Sequence, residues 1–169
     1  MGLLSDHEEI VWREFQHGHS TSEIAQSNED VGRGGSAYVS RVLNRAREKI
    51  AKTLKSHAES HRLDIESILD YKGLLIGFDY QANAQVYIVF TLELGVIVWY
   101  KHDSYAGKLC PDCPKEEECR KTLDTIMEEY AITLRPDEQA LPMTQQSVAI
   151  FNKLAAKEVP RYKRKTDSA

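Results

Sequence analysis

Residues 20–50 read STSEIAQSNEDVGRGGSAYVSRVLNRAREKI, and this stretch decides how the first part of the chain folds. Ser20 and Glu23 have the spacing of a capping box, which predicts a short helix that begins there. A loop over residues 29–35 follows, and we expect Ser36 to cap a longer helix. Apolar residues then recur at spacings of three and four, which is typical of one buried helix face. These residues are Val39, Leu43, Ala46, Ile50 and Leu54.

The longer helix of this pair is predicted to be basic and to need a partner. Its apolar spacing continues for several turns, so we expect it to extend to about residue 60 or beyond. Arg41 and Arg45 lie opposite the apolar stripe and therefore point outward. No further helix follows closely enough in sequence to cover the end of the stripe, so a second copy of the chain is its simplest cover. The pattern thus predicts a homodimer.

A third helix is predicted ahead of this pair. Ser5 and Glu8 repeat the capping-box spacing, and an apolar stripe follows until Gly18 ends the helix. The stripe consists of Ile10, Val11, Trp12 and Phe15. The first part of the chain is therefore predicted to be a small bundle of three helices.

Charge is segregated along the chain. The formal net charge is −4, but residues 33–62 hold eight basic and two acidic residues, so this segment carries +6 and the remainder −10. A basic segment in an acidic protein indicates a surface for a polyanion such as nucleic acid. The alternative is a solvated helix face balanced by distant acids. Glu48 and Glu59 are too few for dense pairing along the helix itself.

The segments EIA (residues 23–25) and VSRVLNRAREKI (residues 39–50) resemble the helix-turn-helix of three groups of DNA-binding proteins. These groups are region 4 of bacterial sigma factors, LuxR-type regulators and archaeal Tfx-type regulators. In such motifs one helix braces the next, whose outward residues meet DNA. The connection between the two helices is several residues longer here than the usual turn. By position, the resemblance implies a DNA-facing set of Ser36, Tyr38, Ser40, Arg41, Asn44 and Arg45.

The side chains of this surface divide by chemistry. Arg41 and Arg45 carry planar forks that can contact guanine O6 and N7, and Asn44 can contact adenine N6 and N7 in the same way. Other basic residues, on the loop or further along the helix, are placed to meet phosphate. They are Arg33, Lys49, Lys52 and Lys55. A protein-interaction module with a solvated basic face is the alternative interpretation.

After about residue 71 the pattern changes from helical to extended. Three segments rich in Val, Ile, Tyr and Phe are separated by turns at Asn83 and Gly95, which predicts three antiparallel strands. Helices predicted over residues 115–130 and 144–157 would cover the sheet. The three segments are GLLIGFDY (73–80), QVYIVFTLEL (85–94) and VIVWYKHD (96–103). The predicted fold class is therefore α+β.

The cysteines cluster near one histidine. Cys110, Cys113 and Cys119 follow His102, and the Cys-x2-Cys pair places two thiols on one tight loop. The four side chains suit a tetrahedral zinc site in a cysteine-rich knuckle, although another histidine or a partner subunit could replace His102. An iron–sulfur cluster is the second possibility, and cysteines without a metal are the third.

These patterns predict four parts of the chain. They are a helix-turn-helix domain (1–55), a linking or dimerisation helix (56–70), an α+β sensing or dimerisation domain that carries the cysteines (71–159) and a basic disordered tail (160–169). No apolar run approaches the roughly 20 residues that span a bilayer, and residues 1–11 lack the features of a signal peptide. We therefore expect a cytoplasmic protein without a membrane partner.

The expected function is transcription regulation by a homodimer that binds double-stranded DNA, with a metal-binding domain that is structural or sensory. One alternative is a redox or metal sensor whose iron–sulfur cluster controls DNA binding. Another is a metal-dependent enzyme that processes nucleic acid. The strands could also line a pocket for a small-molecule effector. No phosphate loop, nucleophile elbow or carboxylate pair supports catalysis, so we do not expect an enzyme.

Overall fold

The computed structural model describes residues 2–101 and 115–157. In this part of the chain, helices precede and follow an antiparallel sheet, and a 3-10 turn at Asp70–Lys72 joins the first two strands. The helices are α1 (Asp6–Gln16), α2 (Thr21–Ser27), α3 (Glu29–Gly32), α4 (Gly35–Ser60), α5 (Glu116–Glu129), α6 (Pro136–Gln139) and α7 (Met143–Ala156). The strands are β1 (Asp64–Leu69), β2 (Leu74–Asp79), β3 (Ala84–Thr91) and β4 (Gly95–Tyr100).

The first two helices begin where their sequences predict. Ser5 N donates to Glu8 Oε1 at 2.8 Å while Ser5 Oγ accepts from Glu8 N at 3.4 Å, so both halves of the capping box are present in α1. Ser20 Oγ likewise accepts from the backbone of Glu23 at the start of α2. Gly18 lies just after the end of α1 and has φ +93°, a backbone conformation that glycine adopts more readily than other residues. Local sequence therefore sets these helix ends.

The connection to the long helix is more ordered than the predicted loop. Asn28 Oδ1 accepts hydrogen bonds from two backbone amides and so caps the short helix α3, in which Val31 is fully buried. α4 then begins at Gly35, so Ser36 lies within its first turn and is not the cap that we predicted. Gly34 occupies the cap position without any side-chain hydrogen bond.

The sheet has four strands, where three were predicted. Its order is β1-β2-β3-β4 with all neighbours antiparallel, and the last three are the predicted strands. The linking helix predicted over residues 56–70 is wrong for residues 61–70, because α4 ends at Ser60 and β1 begins at Asp64. Arg62 has φ +56°. Its backbone amide donates to the carbonyl of Glu59, and the amide of Leu63 donates to the carbonyl of Ala58. This Schellman ending stops the helix and lets the chain extend.

Helices lie on both faces of the sheet. Alternate residues of a strand point to opposite faces, so Phe90 and Tyr87 in β3 face opposite ways. The ring of Trp12 from α1 contacts Phe90 with centroids 6.3 Å apart. The ring of Phe151 from α7 stacks on Tyr87 at 4.4 Å and nearly parallel. The α+β fold class is confirmed, with aromatic contacts joining its helices to the sheet.

The apolar stripe of α4 is covered by the chain's own sheet. Ile50, Leu54 and Ala58 are fully buried, and α4 packs against β1, β2 and β3. A second copy of the chain is therefore not needed to cover this stripe, although a homodimer through another surface stays a prediction. None of the helices in the two described ranges combines the length and apolar character that crossing a bilayer requires.

Candidate nucleic-acid interface

The apolar face of α4 anchors this helix to α1 and α2. Val39, Val42 and Ala46 are fully buried and Leu43 nearly so, and Ile24 of α2 is fully buried as well. Burial of each larger aliphatic side chain stabilises the fold by about 1.5–3 kcal/mol. The opposite face of α4 is thereby fixed toward solvent.

The short helix α3 packs closely on α2. A Cβ on Gly32 would lie 2.2 Å from the backbone oxygen of Ala25, so only glycine permits this approach. Val31 anchors the same turn in the core. The longer connection noted in the sequence is thus a packed helical turn, which presents exposed Arg33 beside the start of α4.

Three side chains expected to read bases are exposed on α4. They are Arg41, Asn44 and Arg45. Within residues 2–101 and 115–157, none of the three forms an ion pair or a side-chain hydrogen bond. Ser36 is exposed near the start of the helix, and Ser40 is half-buried. The outward direction of Arg41 and Arg45 agrees with the direction predicted from the helical period.

Tyr38 is held by α1. Its hydroxyl lies 2.7 Å from His7 Nδ1, and the two rings meet edge to face with centroids 6.0 Å apart. Because the hydroxyl already has this partner and the ring is half-buried, Tyr38 is fixed in position at the edge of the exposed face. The contact joins residues 31 positions apart in sequence, and no local pattern pointed to it.

Lys49 is paired with an acid of α1. Its Nζ lies 2.6 Å from Glu8 Oε1, and the Glu8 side chain is 3% exposed while that of Lys49 is 45% exposed. Burial opposes ionisation of Glu8, but the hydrogen bonds from Lys49 and Ser5 outweigh it and lower the pKa of Glu8. The charge of Lys49 is thus largely matched inside the protein, unlike those of the two arginines.

Arg47 belongs to the fold and not to the exposed face. Its guanidinium lies 4.4 Å from the ring centre of Tyr71 and forms an ion pair with Asp70 at 3.2 Å. It ties α4 to the 3-10 turn before β2. Further along α4, Lys52 and Lys55 are exposed and form no ion pair among the described residues. Glu48, which precedes them, is exposed as well.

The predicted metal ligands fall mostly outside the described residues. His102, Cys110 and Cys113 lie between residues 101 and 115, and only Cys119 lies within the described part, half-buried in α5. Among the residues that the structure describes, no group of three or more His, Cys, Asp or Glu side chains is arranged to hold a metal ion. The zinc site and its cysteine-rich knuckle stay predictions from sequence.

No protein-family model matches the chain, and no curated protein and no solved structure is similar enough to match.

Proposed function

We propose that this protein is a transcriptional regulator that binds double-stranded DNA sequence-specifically through the exposed face of α4. The proposal rests on the observation that Arg41, Asn44 and Arg45 do not bind other side chains of the described chain. All three are exposed and have no ion-pair or side-chain hydrogen-bond partner among the described residues, on a helix whose other face is fully buried. Such a helix can enter the major groove with base-reading side chains ready to bind.

The local charge favours DNA over a merely solvated basic face. The chain has four more acidic than basic residues, so acids to neutralise α4 are plentiful. They are used at Lys49 and Arg47, which pair with Glu8 and Asp70. The two arginines on the exposed face are left without such partners in the described part of the chain. Lys52 and Lys55 extend the same face and would supply phosphate contacts, which add affinity without sequence choice.

The proposal is tested by replacing Arg41 and Arg45 together with alanine and selecting bound sequences from a random duplex pool. We expect the wild-type protein to enrich a defined sequence and the double variant to lose it, since each lost base contact costs about 1–3 kcal/mol. Circular dichroism and thermal unfolding should be unchanged, because both side chains are exposed and lack partners in the described chain.

The matched control removes two exposed positive charges elsewhere, Lys121 on α5 and Lys101 after β4, and neither forms an ion pair among the described residues. The control double variant should enrich the wild-type sequence. The proposal fails if the wild-type protein enriches nothing, or if the Arg41 and Arg45 variant enriches the same sequence as the wild type does.

A homodimer and a zinc ion are further parts of the proposal that rest on sequence. A two-fold dimer would place two α4 helices on half-sites about one helical turn apart, so the enriched sequence should be an inverted repeat with a spacing of about 10 base pairs. Metal analysis of protein purified without oxygen, together with its visible spectrum, separates zinc from iron.

A further inference from the structure

The exposed face of α4 contains an acid between its basic side chains. Arg41, Asn44, Arg45 and Glu48 follow one another at positions i, i+3, i+4 and i+7, so they form one line along the helix. All four are exposed. From the first to the last the helix rises by about 10 Å, which is roughly three base-pair steps of B-DNA. The line therefore has the length of a short base-reading site.

Glu48 is not used by the fold. Arg45 precedes it by one turn and Lys52 follows it by one turn, the spacings at which helical ion pairs form. Neither pair is formed, and Glu48 has no ion pair or side-chain hydrogen bond with any described residue. Glu8 and Asp70, which also lie next to α4, each have a basic partner. Glu48 thus stays available to an external donor.

An available carboxylate on a DNA-facing helix has a limited set of partners. It repels phosphate, so it weakens a face that binds only the DNA backbone. It also repels the acceptor atoms O6 and N7 of guanine and O4 of thymine. Two major-groove groups donate hydrogen bonds, the N4 amino group of cytosine and the N6 amino group of adenine. Cytosine suits a carboxylate better, because the N7 acceptor beside adenine N6 repels it.

We infer that Glu48 is a specificity-determining residue that accepts a hydrogen bond from cytosine N4 in the bound DNA. This inference rests on the proposed function. Its neighbours read complementary features, since Arg45 suits guanine and Asn44 suits adenine. Glu48 also rejects wrong sequences, because an acceptor base at its position leaves a desolvated carboxylate facing an oxygen or nitrogen lone pair.

The inference is tested by selecting duplexes with the wild-type protein and with the variants Glu48→Gln and Glu48→Ala. The wild-type protein should require cytosine at one position of the enriched sequence. Glu48→Ala should lose the preference there, roughly 5-fold to 100-fold, and bind unrelated duplex more tightly because a repulsive charge is gone. Glu48→Gln should move the preference toward adenine, whose N6 and N7 an amide can contact together.

The matched control is Glu59→Gln, which removes an exposed acid from the same helix beyond the reading line. It should enrich the wild-type sequence. The inference alone is overturned if the wild-type protein enriches a sequence that both Glu48 variants retain with equal preference at every position. If the wild-type protein enriches no sequence, the inference and the proposed function both fall.

Discussion

Gly73 is the residue at which three parts of the fold meet. It has φ +59° directly after the 3-10 turn, and its carbonyl accepts a hydrogen bond from Phe90 N at 2.9 Å. A Cβ at this position would lie 2.3 Å from Tyr130 Oη and 3.0 Å from a ring carbon of Trp12. The Tyr130 hydroxyl in turn donates to Phe90 O at 2.5 Å. Glycine is required here for its conformation and for the space that it leaves.

Comparison of Gly73→Ala with Gly95→Ala separates these two requirements. Gly95 also has positive φ, at +74°, but a Cβ added there would meet no atom within 4 Å. We expect Gly95→Ala to cost about 1–2 kcal/mol of unfolding free energy from the backbone alone. Gly73→Ala should cost about 1–3 kcal/mol more than that, because the added methyl group overpacks the site. Urea unfolding measures both, and equal losses would show that the close approach at Gly73 is unimportant.

Glu8 makes the packing of α1 on α4 sensitive to pH. Burial acts to raise its pKa, but the hydrogen bonds from Lys49 and Ser5 outweigh burial and lower the pKa from 4.5 in the folded chain. An acid with a lowered pKa contributes stability that is fully present above pH 4.5 and is lost as the pH falls through the folded pKa. Glu8→Gln should therefore cost about 1–2 kcal/mol near neutral pH and almost nothing in strong acid.

Urea unfolding at several pH values measures this difference, with Glu9→Gln as the control on the same helix. Glu9 is the next residue of α1 and forms no ion pair among the described residues, so its substitution should change stability little at any pH. A constant difference between wild type and Glu8→Gln across the acid range would contradict the role of the Glu8 carboxylate.

At the scale of elements, the sequence predicted the helices and strands that have a clear apolar period or a capping residue. It missed elements that lack a clear apolar period. The capping box at Ser5, the N-cap at Ser20 and the apolar period of α4 are local signals, and the structure confirms them. β1 was missed because it is an edge strand with the sequence DIESIL, whose first half is exposed and charged. The four-residue helix α3 is too short to show a period. β1 is held by its pairing with β2, and α3 by its packing on α2 and α4, which no period within either segment shows.

Local sequence was also insufficient to predict which side chains of the candidate interface are paired. Helical period was enough to place Arg41 and Arg45 on the outward face. It was not enough for Lys49, whose partner Glu8 lies 41 residues away, or for Arg47, whose partner Asp70 lies 23 residues away. Only packing of α1 and of the sheet on α4 brings these acids close. Sequence therefore gives the direction of a basic side chain but not whether it is neutralised.

The C-terminal ends of three helices are joined by two lysines. Lys157 follows α7, and its Nζ donates to the carbonyl of Gln16 at the end of α1 and to that of Tyr130 at the end of α5. Lys72 Nζ donates to Ala155 O at 2.5 Å near the end of α7. Burial, together with the charge of Lys72, lowers the pKa of Lys157. A cation at helix C-termini is favoured by the helix dipoles.

Lys157→Met should accordingly destabilise the protein by about 1–3 kcal/mol, because two carbonyls at helix ends lose a charged donor. Lys121→Met is the control, since Lys121 is exposed on α5, and it should change the unfolding free energy by less than about 0.5 kcal/mol. Thermal and urea unfolding measure both variants. Similar small effects would show that the helix ends are held by packing without the lysine.

At the scale of the whole molecule, α4 packs against both the N-terminal helices and the sheet. Its first half is anchored on α1 and α2 and carries the proposed reading face, while its second half packs on the sheet. Trp12 of α1 also contacts Phe90 of β3 and Tyr130 at the end of α5, with ring centroids 6.3 and 6.4 Å away. The buried side chains of both halves form one continuous apolar core. The proposed reading face and the sheet are therefore parts of one packed unit.

This continuity predicts that the helical part is not stable alone. A fragment of residues 1–60 would expose Ile50, Leu54 and Ala58, which the sheet buries completely in the whole chain. Each of the two larger side chains stabilises the fold by about 1.5–3 kcal/mol when buried, a large share of a typical domain stability of about 5–15 kcal/mol.

The fragment should lack a cooperative thermal transition and should not enrich the sequence that the whole protein selects. Circular dichroism melts and duplex selection test both points. A fragment that melts cooperatively and selects the same DNA would show that the two halves fold independently and that the sheet has no control over the reading helix.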